Sequence, residues 1–282
     1  MFKRITVLRY HSVEFEDSIR LRYDEKFYNV TPEAFRSQMQ YLKDNGFTTI
    51  SLNDLLFIEN EDKLPKKPIL LTFDDGHISH YDTVLPILKE LGFRGTFFLV
   101  VNDMGRPNRV SWNQVQLMKK NKMDIGSHGV HHEIMHKYSY QNLIIELKSS
   151  KLELEEKLGE EIVSFAIPRG LYSHKISNVA RGMGYKLVFT SSAGNINLYS
   201  NPYCLRRMGV RRDYSMGVFK SIVNMETSYI LKRRLGQLCK DMVKNIVGIK
   251  NYTSLKNSIF LRNKSVSSKK INIHTERVVY EK

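Results

Sequence analysis

The sequence predicts an α/β fold built on a parallel sheet and closed as a barrel, on three observations. Strand-like and helix-like segments alternate from the amino terminus to about residue 210, the order expected when helices cross between parallel strands. The chain has 282 residues, 41% of them hydrophobic, enough to bury the core of one barrel-sized domain. Chemistry-bearing residues fall at the carboxyl ends of several separate strand-like runs, which is where barrels gather their sites. An open doubly wound sheet would share the first observation, but the third favours a barrel.

Ile5 to Tyr10 reads as the first strand. A helix follows, with Thr31 as cap, Pro32 in its first turn, Phe35, Met39 and Leu42 on one face, and Asn45-Gly46 as its stop. Phe47 to Ser51 is a short strand and Asn53 caps a brief helix. The apolar run ending at Asp74 comes next, then a helix from Asp82 to Leu91, a strand from Thr96 to Val101 and a helix capped by Ser111. Tyr140 to Leu158 carries Leu143, Ile144, Leu147, Leu152, Leu154 and Leu158 at helical spacing, which suits a long amphipathic helix. A strand at Ile162 to Ile167, a helix from Ser173 to Met183 and strands at Lys186 to Ser191 and Tyr203 to Val210 complete the alternation.

The run Pro68-Ile69-Leu70-Leu71-Thr72-Phe73 ends in Asp74-Asp75-Gly76. Gly76 lets the chain turn, so both carboxylates can face one cavity. Asp-Gly is also a common turn and Asp a common cap, so the pair gains meaning only from its company. Met123 to Ser127 is a second short run, continued by His128-Gly129-Val130-His131-His132. Gly126 and Gly129 favour a tight loop there, and histidines four apart can converge on one ion. Two imidazoles and one carboxylate of the Asp pair would leave a position open for water, the pattern of a catalytic zinc or similar ion. His132 with His136, and Asp75 with His77 and His80, are competing sets of lower rank.

The formal net charge of +15 is uneven. Residues 228–282 hold 13 Lys or Arg against three acids, a balance of +10 that leaves +5 for the rest. Ile230, Leu231, Leu235, Leu238, Met242, Val243, Ile246 and Val247 lie among those basic residues, as in an amphipathic helix near anionic lipids. Nucleic acid is the weaker partner: aromatics are sparse there and no recognition motif is present. A catalytic domain over 1–227 with a basic, helical or disordered extension over 228–282 is expected. Cys204 and Cys239 are far apart and read as reduced thiols. The amino terminus lacks a signal-peptide apolar region and no segment offers the ~18 uninterrupted apolar residues of a membrane span, so a cytoplasmic protein, peripheral at most at the inner membrane face, is expected.

Thr72-Phe73-Asp74-Asp75-Gly76 and Ser127-His128-Gly129-Val130-His131-His132 resemble the polysaccharide deacetylases, the NodB-homology or carbohydrate esterase family 4 domain. The resemblance extends to Leu8-Arg9-Tyr10-His11, the helix Thr31 to Gly46 and Leu205 to Val210, and the Tyr-His opening looks like the branch of poly-N-acetylglucosamine deacetylases with permuted motif order. It implies a distorted (β/α)7 barrel and metal-dependent hydrolysis of an N-acetyl group on an amino sugar. It implies Asp75, His128 and His132 as metal ligands, most simply for zinc, with cobalt, nickel or manganese as alternatives. Asp74 would be the catalytic base and His11 the catalytic acid, with Tyr10 and Arg169 placed as substrate or oxyanion contacts.

The chain departs from the family in Phe165-Ala166-Ile167-Pro168-Arg169-Gly170. Ala166 stands where the family often has an Arg that steadies the base, so Arg207 is the expected partner of Asp74. The backbone donor at Arg169 survives the side-chain change, and its guanidinium is suited to an anionic substrate group. The expected function is N-deacetylation of an amino-sugar glycan or precursor in surface polysaccharide assembly. The rival is a glycan-binding or assembly protein on the same barrel, without turnover.

Overall fold

The structure, a computed structural model, describes residues 2–15, 17–18, 20 and 26–247. Among them are eight strands: β1 (Thr6–Tyr10), β2 (Thr48–Thr49), β3 (Pro68–Asp74), β4 (Thr96–Leu99), β5 (Asp124–Ser127), β6 (Ser164–Ala166), β7 (Leu187–Phe189) and β8 (Met208–Gly209). They are hydrogen-bonded in the order β7-β6-β5-β4-β3-β1-β8, with β2 beside the start of β3, and every ladder is parallel. Closure comes just before β8. The Leu205 amide donates to Val188 O at 2.8 Å and Leu205 O accepts from the Thr190 amide at 2.8 Å, while Arg207 N donates to Ser192 O. The segment therefore leaves β7 and joins β1 within four residues, closing a distorted (β/α)7 barrel.

Alternate side chains along each strand enter two different cores, as the period of two requires. Ile5, Val7, Leu70, Phe98, Ala166, Leu187, Phe189 and Leu205 fill the barrel interior. Leu8, Tyr10, Leu71, Phe73, Phe97, Leu99 and Phe165 face the surrounding helices. Gly126 belongs to this packing and not to a turn. A Cβ there would lie 2.4 Å from Ser164 Oγ and 2.6 Å from the Phe98 ring, so the strand carries no side chain where the interior narrows.

The helices are α1 (Pro32–Asp44), α2 (Leu52–Phe57), α3 (Leu85–Leu91), α4 (Trp112–Lys120), α5 (Tyr140–Leu158), α6 (His174–Gly182), α7 (Met216–Val223) and α8 (Thr227–Val247). Their starts follow from capping. Thr31, Ser111, Ser139, Ser173 and Ser215 each accept a hydrogen bond from a first-turn amide. The cap of α2 is Ser51, not Asn53: Ser51 and Asp54 form a reciprocal capping box, which satisfies two amides where Asn53 could satisfy one. The helix expected over 82–91 opens with a π-helical turn at His80–Val84 before α3. Leu152, expected on the buried face of α5, is 54% exposed, and that face instead presents Glu146 and Ser150 beside Leu143, Leu147 and Leu154.

The chain separates into a unit Met1–Leu231 and a second beginning at Lys232. Ile230 of α8 is buried, whereas Leu231, Leu235 and Met242 are exposed. No described helix is long and apolar enough to cross a membrane. The side chains of Leu238, Val243, Ile246 and Val247, and residues 248–282 of the basic extension, lie outside the described residues.

One buried carboxyl gives the fold a pH signature. Asp124 accepts the Leu52 amide at the start of α2 at 2.8 Å, yet burial pushes it up from 3.8 to about 6. A folded value above the unfolded one favours the protonated form, so its support of the fold is complete below the unfolded value and is lost as pH rises through about 6. Thermal unfolding of Asp124→Asn beside wild type should show Tm differences moving in the variant's favour between pH 5 and 7. A difference constant across that range would contradict this reading.

Candidate active site

The carboxyl ends of β1, β3, β5 and β6, with the segment that enters β8, place most of the expected site residues at one mouth of the barrel. Burial alone would raise the carboxyl of Asp74, the last residue of β3, but Arg207 and His128 hold it down to about 2. Arg207 binds it through both nitrogens, Nη1 to Oδ1 at 2.7 Å and Nη2 to Oδ2 at 2.9 Å. That guanidinium, 1% exposed, also donates Nε–H to Thr190 O and Nη1–H to Thr72 Oγ1. A fork-to-fork pair of this kind fixes the carboxylate plane as well as its charge.

Asp75, one residue on, is neutralised differently. Its Oδ1 lies 3.4 Å from His128 Nε2 and 3.2 Å from His132 Nε2, and it is a buried oxygen with no hydrogen-bond partner. Burial pushes its carboxyl up, but His132, His128 and His11 outweigh this and hold it well below the usual range. The His128 ring is oriented from behind: Nδ1 donates to Ala166 O at 2.7 Å, which leaves Nε2 with a lone pair aimed at the carboxylate. The His128 lone pair facing that carboxylate oxygen repels it unless a cation lies between them. At the neighbouring His132 the effect of burial is outweighed by Asp75, which pushes the imidazole up and so favours positive charge at the same place. Donor atoms of Asp75, His128 and His132 all fall within 4.8 Å of one another, and the measured 3.2 and 3.4 Å match the separation of about 3.3 Å between ligands on a tetrahedral ion with bonds near 2.0 Å. The three residues fit a divalent metal.

The competing sets do not assemble among the described residues. His136 is exposed. His77 Nδ1 is hydrogen-bonded to Ser79 Oγ, and His80 Nε2 donates to His11 O at 2.6 Å. His11 follows β1, its ring stacked on Tyr28 at 4.7 Å. Burial lowers its pKa to about 4, with Asp75 and Asp74 opposing that shift and Arg9 and Arg207 adding to it. The free ring is therefore neutral near pH 7.

Tyr10 does not reach the site. Alternation along β1 turns it outward, where it is fully buried against Phe35 and Phe73 and donates its hydroxyl to Gln38 of α1 at 2.8 Å. Arg169 is exposed at the mouth, and its charge acts on His132. Its φ of 60° is left-handed, as are those of Asp75 (77°) and His132 (55°). Half of the six non-glycine residues with positive φ among the described ones are thus site residues, and backbone strain of this kind gathers where side chains must be aimed.

Glu146, on the inward face of α5, is a residue the sequence reading missed. It is 3% exposed; Oε1 accepts the Val130 and His131 amides at 2.7 Å each and Oε2 meets His131 Nδ1 at 2.9 Å. One carboxylate thereby pins the loop between His128 and His132. Gly129 permits the approach: at φ +83° an added Cβ would sit 2.9 Å from Met135 and 3.0 Å from Glu146 Oε1. An acid among the leucines of the inward face of α5 was the available signal.

Residues 61–188 match the family model for polysaccharide deacetylase. The chain is 25% identical over 221 residues, 78% of its own length and 76% of the relative's, to the Bacillus subtilis protein YxkH, whose name carries the same family. It is 24% identical over 202 residues, 67% and 70% of the two chains, to poly-beta-1,6-N-acetyl-D-glucosamine N-deacetylase of Staphylococcus aureus. Among solved structures, the Streptococcus pyogenes deacetylase PplD in complex with acetate is similar at a TM-score of 0.69 and 26% identity, over 76% of this chain and 96% of that one.

Glu146→Gln should weaken divalent-ion binding by about 10- to 100-fold, the usual cost of loosening the groups that orient ligands. Competition against a chromophoric chelator measures this, and unchanged affinity in a folded variant would contradict the anchoring role.

Proposed function

We propose that this chain, which carries a polysaccharide deacetylase domain, removes N-acetyl groups from an amino-sugar-containing glycan or glycan precursor with the help of a divalent metal. The observation that carries the reading is the buried, unpartnered Asp75 oxygen between two imidazole nitrogens, directly beside a carboxylate clamped by Arg207. The relatives' names supply the substrate class. Zinc best suits two imidazoles and one carboxylate, with cobalt, nickel and manganese as alternatives.

Asp75, His128 and His132 would hold the ion, which would supply polarisation of the acetamide carbonyl and a lowering of the pKa of water towards about 7. Asp74 receives the proton of the attacking water, and Arg207 keeps its carboxylate ionised and aimed, so that the base is ready without rearrangement. His11, neutral in the free site, would take a proton from solvent as negative charge develops beside it and pass it to the departing nitrogen, while the proton received by Asp74 would return to solvent as acetate leaves. The Arg169 backbone N–H is the oxyanion donor.

Purified protein should release acetate from an N-acetylated amino-sugar substrate in a metal-dependent way. Asp74→Asn should reduce release by at least ~10²-fold while the metal stays bound, in the range expected for a lost general base. Full activity in that variant would contradict the assignment, and glycan binding without acetate release across a broad panel would favour a non-catalytic barrel.

We propose in addition a cytoplasmic protein of surface polysaccharide assembly whose helix α8 and basic extension bind anionic lipid. Exposed Leu231, Leu235 and Met242 on a helix bearing Lys232 support this, because apolar side chains among cations bind anionic interfaces. Full-length protein should float with anionic liposomes and a chain truncated after residue 227 should not; equal flotation would remove the membrane partner.

A further inference from the structure

Arg9 is a cation that the catalytic scheme leaves unused. On β1 it pairs in register with Thr72 of β3 and Gly209 of β8, the face of the strand that also carries Ile5 and Val7 into the barrel interior. Its guanidinium therefore lies at the top of the barrel, close enough for its charge to act on both His11 and Arg207. Nη1 donates to Ser191 Oγ. Nε is buried with no partner, and among the described residues no carboxylate forms an ion pair with it.

A partly buried guanidinium without a counter-ion is costly, and such groups are ordinarily paired. Among the described residues no carboxylate offsets Arg9, whereas the more deeply buried Arg207 has Asp74. Ser191 links Arg9 to a second unusual cation. A Cβ on Gly170 would lie 1.7 Å from Ser191 Oγ, and the Ser191 amide donates to Gly170 O at 3.2 Å, so Ser191 is packed directly on the turn that presents Arg169. Arg9, close to His11, and Arg169, close to His132, are thus joined through Ser191 and Gly170 and bring positive charge to the same end of the barrel as the site.

We propose that Arg9 and Arg169 form an anion subsite that selects an amino-sugar substrate carrying a carboxylate or phosphate group next to the reacting acetamide. Planar guanidinium groups suit both oxyanions, and the partly buried Arg9 has charge that no carboxylate of the described residues neutralises. This rests on the deacetylase reading for its reaction but not for its ligand.

The test therefore has a binding arm and a turnover arm, both on the full-length, metal-loaded protein. In the first, inorganic phosphate and glucuronate are titrated calorimetrically into wild type, Arg9→Gln, Arg9→Lys and Arg169→Gln. Arg9→Gln should weaken binding of at least one anion by about tenfold, as for a lost charge-assisted hydrogen bond, and Arg9→Lys, which keeps the charge and the stem, should weaken it less. In the second, acetate release is compared between a neutral N-acetylglucosamine oligosaccharide and oligosaccharides bearing a uronic acid or a phosphodiester. Wild type should prefer one of the charged substrates in kcat/KM, which also tells carboxylate from phosphate, and the ratio of charged to neutral should fall about tenfold in Arg9→Gln and in Arg169→Gln. Anion affinities equal across all variants, or an equal loss on charged and neutral substrates, would overturn the subsite. Absence of acetate release from every substrate, with the binding differences intact, would count against the deacetylase reading alone.

Discussion

Two adjacent carboxylates at the end of one buried strand cannot share a single neutralising group, and the site is organised around that constraint. Asp74 and Asp75 are both held far below their ordinary tendency to protonate when buried, but by opposite devices. Asp74 is saturated by a guanidinium that binds both of its oxygens. Asp75 meets two imidazole nitrogens, and one of its oxygens is left without a hydrogen bond. The first arrangement is complete within the protein; the second leaves three donor atoms placed to fit a cation. This difference separates a residue suited to take a proton from one suited to hold a metal.

The barrel supplies both devices by the way it closes. Arg207 arrives on the short segment that leaves β7 and joins β1, so the ion pair at the site also spans the join of the ring. Breaking a buried pair of this kind typically costs 3–5 kcal/mol because a charge is left uncompensated. On the opposite side, the carbonyl of Ala166 and the carboxylate of Glu146 hold His128 and the loop after it. Positive φ occurs at Asp75, His132 and Arg169, beside these contacts. The strain therefore sits where the side chains converge, and interior packing such as that of Gly126 against Phe98 makes the frame stiff enough to bear it.

Much of this was legible in the sequence because the informative patterns are local. Asp-Asp-Gly after an apolar run, and histidines four apart after another, each report on a single strand and its loop, and alternation supplied the barrel. Arg207 is distant from Asp74 in sequence and came into view only through the departure at Ala166. Glu146 was hidden because its partners lie on a loop 15 and 16 residues away and its helix reads as amphipathic with or without it. Tyr10 shows the cost of neglecting a period of two: lying next to His11 does not put its side chain on the same side of the strand. Ser51 and Asp54 spelled a capping box that the nearer Asn53 obscured, and Leu152 fits the helical pattern in sequence yet points to solvent.

The claim on which the account rests is that Asp75, His128 and His132 converge to bind one divalent ion. Chelator-treated protein titrated with cobalt(II), followed by visible absorption and calorimetry, tests it most directly. The account predicts one high-affinity ion per chain, weakened at least about a hundredfold by Asp75→Asn and by His132→Ala and unaffected by His136→Ala. Retention of wild-type affinity and spectrum in Asp75→Asn would contradict it.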